Sequence, residues 1–300
     1  MRTHSRLLVV ALIAGACLIA AGPAVHGQTN RRTHDVYVTV TDKAGAPATD
    51  LTPADFTIRE DNRDREVLAV GTAKTPMRIA LLIDNSQITQ SVTNELRIAM
   101  SGFIQAMFKA NPDNVMSLST FGDRPTLVEG FTSSPQPLVR AAQKLFPMNG
   151  AGAYLTDAIM DAAQSLRKEP MARQVIVAFI DESGEEFSNA GRSQVLDALR
   201  FSNAQLWVVA LQGAATNMNS QEARDRSAVI DEGTSQTGGT TLPLLNRLSL
   251  PQRMTELAAL LNSQIQITYG RPEQTVPPKK IEIQLSRKGL KLQAPRWAGQ

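Results

Sequence analysis

The chain has 300 residues, and with 42% hydrophobic and 20% charged residues its composition is that of a soluble globular protein. These proportions exclude a disordered chain, a collagen-like repeat and a bundle of membrane helices. The 31 basic residues outnumber the 28 acidic ones by only three, which excludes the basic surface that nucleic-acid binding requires.

Residues 1–27 have the pattern of a secretory signal peptide. A short basic segment, 1–6, precedes an apolar run, 7–22, and residues of small or modest size follow near the expected cleavage point. The run is shorter than the roughly 20 residues of a membrane-spanning helix, although an uncleaved anchor stays open as an alternative. Cleavage would remove Cys17, the only cysteine, and would leave no membrane span. We therefore expect an exported protein, periplasmic or extracellular, that folds without disulfides.

Residues 35–75 predict a small N-terminal β module. Segment 36–41 is rich in β-branched residues, which predicts a strand, and a turn with Gly45 and Pro47 follows it. Segment 66–70 predicts a second strand. So small a module buries too little apolar surface to be stable alone. It should therefore pack against another part of the chain.

Between residues 76 and 264 the pattern alternates between strands and helices. The strands are apolar throughout, which is typical of a parallel sheet covered on both faces. We therefore predict a doubly wound, mostly parallel, Rossmann-like α/β domain. Its predicted strands are 77–83, 115–121, 126–131, 174–180, 205–211 and 240–244, and its predicted helices are 92–109, 137–146, 155–167, 192–201, 222–232 and 251–262.

The C-terminal segment 265–297 contains two further strand patterns. Segments 265–269 and 281–285 alternate apolar and polar residues, which predicts half-exposed strands rather than strands at a sheet centre. A proline-rich linker separates them. We expect both to pair with the N-terminal module, so that the two ends of the chain build one small β domain.

Polar residues follow two of the predicted strands directly. Asp84, Asn85 and Ser86 come after the strand 77–83, and Asp181 comes after the strand 174–180. In an open α/β sheet, ligands bind beyond the carboxyl ends of the strands, and carboxylate and hydroxyl oxygens are ligands that Mg²⁺ prefers. The alternative is that both aspartates only cap helices or close turns, which is common at strand ends.

The order of these segments resembles the von Willebrand factor type A domain. The resemblance rests on 79–86 with the helix after it, 115–123, 155–159 and 175–182. The flanking segments 38–42, 51–56 and 265–297 resemble the type A-related proteins abundant in acidobacteria. The resemblance implies a metal-ion-dependent adhesion site, in which Asp-x-Ser-x-Ser, a Thr and an Asp from three loops hold a metal. A bound partner then supplies the last carboxylate oxygen.

Only part of that site is present in this sequence. By the resemblance, Asp84 and Ser86 match the first two metal ligands, and Asp181 matches the aspartate of the third loop. Ile88 stands at the place of the second serine, and Ala153 stands at the place of the threonine. Neither side chain has an oxygen, through which cations of this kind are held. We therefore expect a degenerate site without a resident cofactor.

A weakened Mg²⁺ or Mn²⁺ site of low occupancy is the alternative. In that case Glu182, Glu185 or Glu186 would replace the missing oxygens, together with water. The other interpretation of these glutamates is a solvated acidic loop.

The residues of familiar enzyme sites are mostly missing. Segment 84–91 contains no glycine, which disfavours a nucleotide-binding loop. Ser183 lies outside a Gly-x-Ser-x-Gly motif, and His34 is the only histidine after residue 27. A hydrolase that uses carboxylates as acid and base stays open as an alternative.

We therefore predict an exported, non-enzymatic binding protein. Its binding surface should be the rim formed by the loops at Asp84, 149–154 and Asp181. The expected partner is a protein or a cell-envelope component.

Overall fold

A computed structural model of the chain describes residues 31–48, 50–213, 220–272 and 276–298. The predicted signal peptide, 1–27, lies outside the described residues. Within those residues, no helix combines the length and the apolar character needed to cross a membrane.

The strands of the described chain form three sheets. In chain order they are β1 (Arg31–Thr41), β2 (Phe56–Glu60), β3 (Arg63–Arg65), β4 (Val67–Thr72), β5 (Met77–Ile83), β6 (Val115–Thr120), β7 (Thr126–Thr132), β8 (Arg173–Asp181), β9 (Ala204–Leu211), β10 (Thr241–Leu244), β11 (Ile265–Pro272), β12 (Ile281–Leu285) and β13 (Lys291–Gln293). The largest sheet has the order β10-β9-β8-β5-β6-β7 and is parallel except for β7, which pairs antiparallel with β6.

Helices cover both faces of the largest sheet. They are α1 (Thr93–Ala110), α2 (Pro135–Gln143), α3 (Leu155–Lys168), α4 (Arg192–Ser202), α5 (Gln221–Ala228), α6 (Thr234–Thr237) and α7 (Leu250–Asn262). Helices α1, α2 and α7 share one hydrophobic core with the sheet, and α3 and α4 share the other. This arrangement confirms the predicted doubly wound fold.

The central strands explain why the sheet is covered on both sides. Along β5, Ile79 and Leu81 face the core under α1, while Ala80 and Leu82 face the core under α3. Every residue of β5 and of β8 is buried. Full burial of one large aliphatic side chain contributes about 1.5–3 kcal/mol, so neither strand can remain at an exposed edge.

The two ends of the chain pair with each other, as predicted. β1 and β4 flank β11 in a four-stranded sheet of order β13-β1-β11-β4, with Val36 opposite Ile267. β12 pairs with β2 in a second sheet of order β12-β2-β3, with Ile58 opposite Ile283. Apolar side chains from both sheets form a third core.

Three local features differ from the sequence predictions. Strands β2, β3 and β13 were not predicted, because they are short and contain few apolar residues. β11 lies inside its sheet and none of its residues is exposed, so it is not the half-exposed strand that its alternation predicts. The single helix predicted at 222–232 is longer in the structure and consists of three consecutive pieces. These are α5, a π-helical turn at Val229–Gly233 and α6.

Candidate functional site

Asp84 and Asp181 lie side by side at the carboxyl ends of β5 and β8. These two strands are neighbours, and the chain proceeds outward from them in opposite directions, so the strand order reverses between them. Such a reversal opens a crevice where ligands bind in α/β sheets. The Asp181 amide donates to Asp84 Oδ2 at 3.2 Å, and both residues are buried. The fold therefore joins the two aspartates that are 97 positions apart in the sequence.

Ser86 completes a compact group with Asp84. Its backbone amide donates to Asp84 Oδ1 at 2.9 Å. Its hydroxyl is buried close to the same carboxylate, but it makes no hydrogen bond of acceptable geometry within the described residues. Burial raises the pKa of Asp84, and the hydrogen bonds from Ser86 and from the Asp181 amide oppose that rise. The Ser86 side chain and the Asp181 backbone thus lie next to the Asp84 carboxylate.

The Asp181 carboxylate is partly engaged by its own loop. Its Oδ1 accepts hydrogen bonds from the amide and the hydroxyl of Ser183. The Asp181 carbonyl accepts a further bond from the Gly184 amide at 3.2 Å. These contacts fold residues 181–184 into a tight turn, which is the turn-closing role that aspartates often have.

Ile88 and Ala153 supply no oxygen at the remaining positions. Ile88 is 40% exposed and its side chain packs against Gly184, where an added Cβ would lie 3.1 Å from Ile88 Cγ2. Ala153 is fully buried, its amide donates to the Glu185 carbonyl, and its carbonyl accepts from the Phe187 amide, both at 2.8 Å. Both backbone groups of Ala153 are therefore already used.

Thr156, the nearest threonine in sequence, does not replace the missing ligand. Thr156 lies in the first turn of α3, and its hydroxyl donates to the Ala190 carbonyl at 2.7 Å. Within the described residues, no group of three or more His, Cys, Asp or Glu side chains has an arrangement that could hold a metal ion. That the ligand set is incomplete stays a prediction from the resemblance.

The acidic loop after β8 is not uniformly solvated. Glu185 is exposed and Glu182 is half-buried, but Glu186 is 4% exposed. The Glu186 carboxylate accepts hydrogen bonds from the Ser188 hydroxyl and from the Thr156 amide at the start of α3. A helix N-terminus favours a negative group, but burial dominates and raises the pKa of Glu186 to about 7.

Arg226 of α5 holds this loop from the opposite side. Its guanidinium donates to the carbonyls of Gly184 at 2.9 Å and Glu182 at 3.2 Å, and it lies 4.0 Å from Glu186 Oε2. The partners of the Glu186 carboxylate are thus α3, Ser188 and Arg226. No pattern in the sequence indicates that Glu186 or Arg226 is buried.

Two exposed apolar side chains lie beside the buried oxygen group. Phe187 is 47% exposed, and its ring lies against Gly152, where an added Cβ would be 2.2 Å away. It is also 6.2 Å, between ring centroids, from Tyr154. Ile88 rests on Gly184 in the same manner. We define the rim surface as Ile88, Gly152, Tyr154, Gly184 and Phe187.

Comparison with known proteins identifies the segment that carries this site. Residues 79–185 match the family model of the von Willebrand factor type A domain. This segment is a von Willebrand factor type A domain. It begins within β5 and ends in the loop after β8, so it includes Asp84, Ser86, Ala153 and Asp181.

Solved structures with similar folds come from diverse sources. Proximal thread matrix protein 1 from the mussel byssus has a TM-score of 0.52 at 14% identity, over 68% of this chain and 49% of that chain. A von Willebrand factor type A protein from Catenulispora acidiphila has a TM-score of 0.49 at 10% identity, over 91% and 75%. The vWF domain of the type V pili tip protein Mfa5 from Porphyromonas gingivalis has a TM-score of 0.48 at 9% identity, over 63% and 96%.

At these identities the likeness concerns the fold of the type A domain alone. No curated protein matches the chain. Its function must therefore be argued from the rim surface and the residues around it.

Proposed function

We propose that this protein is an exported, non-enzymatic module that binds a protein or a cell-envelope component through the rim surface. The observation that carries this proposal is the pair of exposed apolar side chains, Ile88 and Phe187, at the crevice of a type A domain. Each rests on a glycine of a neighbouring loop, so both are held in position before a partner arrives. Preorganised apolar and aromatic side chains are frequent anchors of protein interfaces.

Binding at this surface does not depend on a resident metal. The places of the second serine and the threonine hold Ile88 and Ala153, and both backbone groups of Ala153 are paired. A cation here would lack two of its protein oxygens, while the adjacent apolar area gains free energy simply by leaving water. Burial of Phe187 and Ile88 therefore replaces the metal-bridged carboxylate as the source of affinity.

The test compares two matched phenylalanine variants. Phe187→Glu places a charge on the rim surface, whereas Phe201→Glu makes the same change at a 50% exposed residue near the C-terminal end of α4. Helix α4 runs antiparallel to the strands, so Phe201 lies at the other end of the domain. The immobilised chain is incubated with a native envelope fraction, and the retained proteins are identified by mass spectrometry. A partner retained by the wild type and by Phe201→Glu, but lost from Phe187→Glu, supports the proposal.

Retention of every partner by Phe187→Glu contradicts the proposal. Circular dichroism and thermal unfolding of both variants verify that a lost partner does not reflect a lost fold. Catalytic turnover of any envelope substrate that disappears in Asp84→Asn would favour the carboxylate hydrolase instead.

One observation favours a second candidate, a weakened Mg²⁺ or Mn²⁺ site. The Ser86 hydroxyl is buried beside the Asp84 carboxylate without a hydrogen bond of acceptable geometry. With Asp84 and Asp181 it would supply three of the ligands to a metal, which would add positive charge for an acidic partner. A rise of the unfolding midpoint in millimolar Mg²⁺ or Mn²⁺ that is absent in Asp84→Asn would support this candidate.

A further inference from the structure

A buried arginine lies at the end of the largest sheet that is opposite to the rim surface. Arg173 is the first residue of β8 and is 4% exposed. Its guanidinium donates to the Thr75 and Leu261 carbonyls and to Gln264 Oε1, each at 2.9 Å. All three acceptors are neutral. Within the described residues, no carboxylate forms an ion pair with Arg173.

Such a cation is expensive to bury alone. Moving an ion out of water costs free energy even after the protein relaxes, so buried charges are normally paired with an opposite charge. Neutral carbonyls supply partial compensation, and the Tyr37 ring, centred 5.0 Å from the guanidinium, adds a cation–π contact. The Nε atom still has no partner in the described structure. Burial accordingly lowers the pKa of Arg173 to about 10.

A cavity of about 100 Å³ adjoins this arginine. It lies between the type A domain and the four-stranded sheet, and it is lined by Arg173 from β8, Gln205 from β9, Tyr37 from β1, and Tyr269 and Arg271 from β11. The Tyr37 hydroxyl is buried near the Thr75 side chain, but no contact that it makes among the described residues has the geometry of a hydrogen bond. Because burial raises the pKa of Tyr37, this hydroxyl stays protonated and can donate.

The charges around the cavity leave an excess of positive charge. Arg271 is held by the buried Glu60, which also binds Arg65. Asp35 lines the cavity, but it is exposed and accepts a hydrogen bond from Thr268. The pKa of His34 is lowered first by burial and then by the charge of Arg271. In the described part of the chain, none of these acids therefore neutralises Arg173.

From this geometry we propose that the cavity is a binding site for one small oxyanion, of the size of inorganic phosphate or a free carboxylate group. The oxyanion accepts hydrogen bonds from Arg173 and the Tyr37 hydroxyl and neutralises the buried guanidinium. Charge-assisted hydrogen bonds of this kind are about twice as strong as neutral ones. Bound there, the anion joins β8 of the type A domain to β1 and so stabilises the contact between the two parts of the molecule.

The experiment titrates the full chain with inorganic phosphate and, separately, with acetate. Isothermal calorimetry near neutral pH, at ionic strength kept constant with potassium chloride, measures stoichiometry and affinity. We expect one site per chain for at least one of these probes. The unfolding midpoint should rise with the logarithm of its concentration above the dissociation constant. A stronger response to phosphate identifies a phosphate-type ligand, and a stronger response to acetate identifies a carboxylate.

Matched variants locate the site. Arg173→Met keeps the length of the side chain but removes the charge, and it should weaken binding about tenfold or more. Arg192→Met removes an exposed arginine on α4 and should leave binding unchanged. If Arg173→Met does not fold, Arg173→Lys keeps the charge and should bind with reduced affinity. Absence of saturable binding of both probes to the wild type overturns the proposal, as does undiminished binding by a folded Arg173→Met or Arg173→Lys.

Discussion

Each end of the largest sheet buries ionisable side chains whose pKa values are shifted, and the shifts of Asp84, Glu186 and Arg173 run in opposite directions at the two ends. At the carboxyl ends of the strands, Asp84 and Glu186 are buried acids whose pKa values are raised. At the other end, Arg173 is a buried base whose pKa is lowered. The cause is the same in each case, because burial disfavours the charged form of any group. Backbone amides supply hydrogen bonds to both acids of the acidic end, whereas no carboxylate among the described residues pairs with Arg173 at the basic end.

The largest expected effect concerns the ion cluster next to the cavity. Glu60 is fully buried and binds Arg65, Arg271 and the Tyr269 hydroxyl. Glu60→Ala removes the acid that binds the buried Arg271 and the half-buried Arg65, so the free energy of unfolding should fall by about 3–5 kcal/mol. Urea unfolding measures this change.

The control for that variant is Glu282→Ala, which removes the acid of the exposed Lys280–Glu282 pair. We expect it to cost far less than Glu60→Ala, since surface ion pairs contribute little. Equal losses in both variants would mean that the buried cluster is not a distinctive feature of the cavity end.

The next effect concerns pH at the rim end. Because the pKa of Glu186 is about 7 in the folded chain and about 4.5 when exposed, the folded state binds the proton more tightly. Its contribution to stability is fully present below pH 4.5 and is lost as pH rises through 7, a change of about 3 kcal/mol. Glu186→Gln should therefore unfold with a flatter pH dependence between these values.

Glu185→Gln is the matched control, since Glu185 is the exposed neighbour in the same loop. Denaturant unfolding at several pH values compares the three proteins. If Glu186→Gln keeps the slope of the wild type, the carboxylate does not titrate in the way that its burial implies.

A smaller effect tests the missing oxygens. Ile88→Ser combined with Ala153→Thr restores the two oxygen-bearing side chains that the type A resemblance implies. Millimolar Mg²⁺ or Mn²⁺ should then stabilise the double variant by about 1.4 kcal/mol when the metal exceeds its dissociation constant tenfold. Thermal unfolding with and without metal measures the shift. No gain over the wild type would show that these two positions were wrongly assigned as lost ligands.

The sequence predicted the main elements because their apolar patterns are strong and local. Asp84 and Asp181 were predicted as neighbours because each follows a buried strand of a parallel sheet. The short strands β2 and β3 were missed, since their few apolar residues, such as Phe56 and Ile58, are interspersed with charges. These strands depend on pairing with distant segments rather than on their own pattern.

The buried charges could not be predicted, because their partners are distant in the sequence. Arg173 binds carbonyls 98 and 88 positions away, at Thr75 and Leu261. Glu186 was part of an acidic run that is typical of a solvated loop, and only the position of α3 and Arg226 explains its burial. No local pattern distinguishes it from the exposed Glu185.

The most direct measurement is the affinity of a partner captured through the rim surface, determined with the metal chelator EDTA and again with millimolar Mg²⁺. We expect the two affinities to be equal, and we expect Phe187→Glu to lose binding under both conditions. Binding that disappears in EDTA, returns with Mg²⁺ and persists in Phe187→Glu would contradict a metal-independent apolar rim.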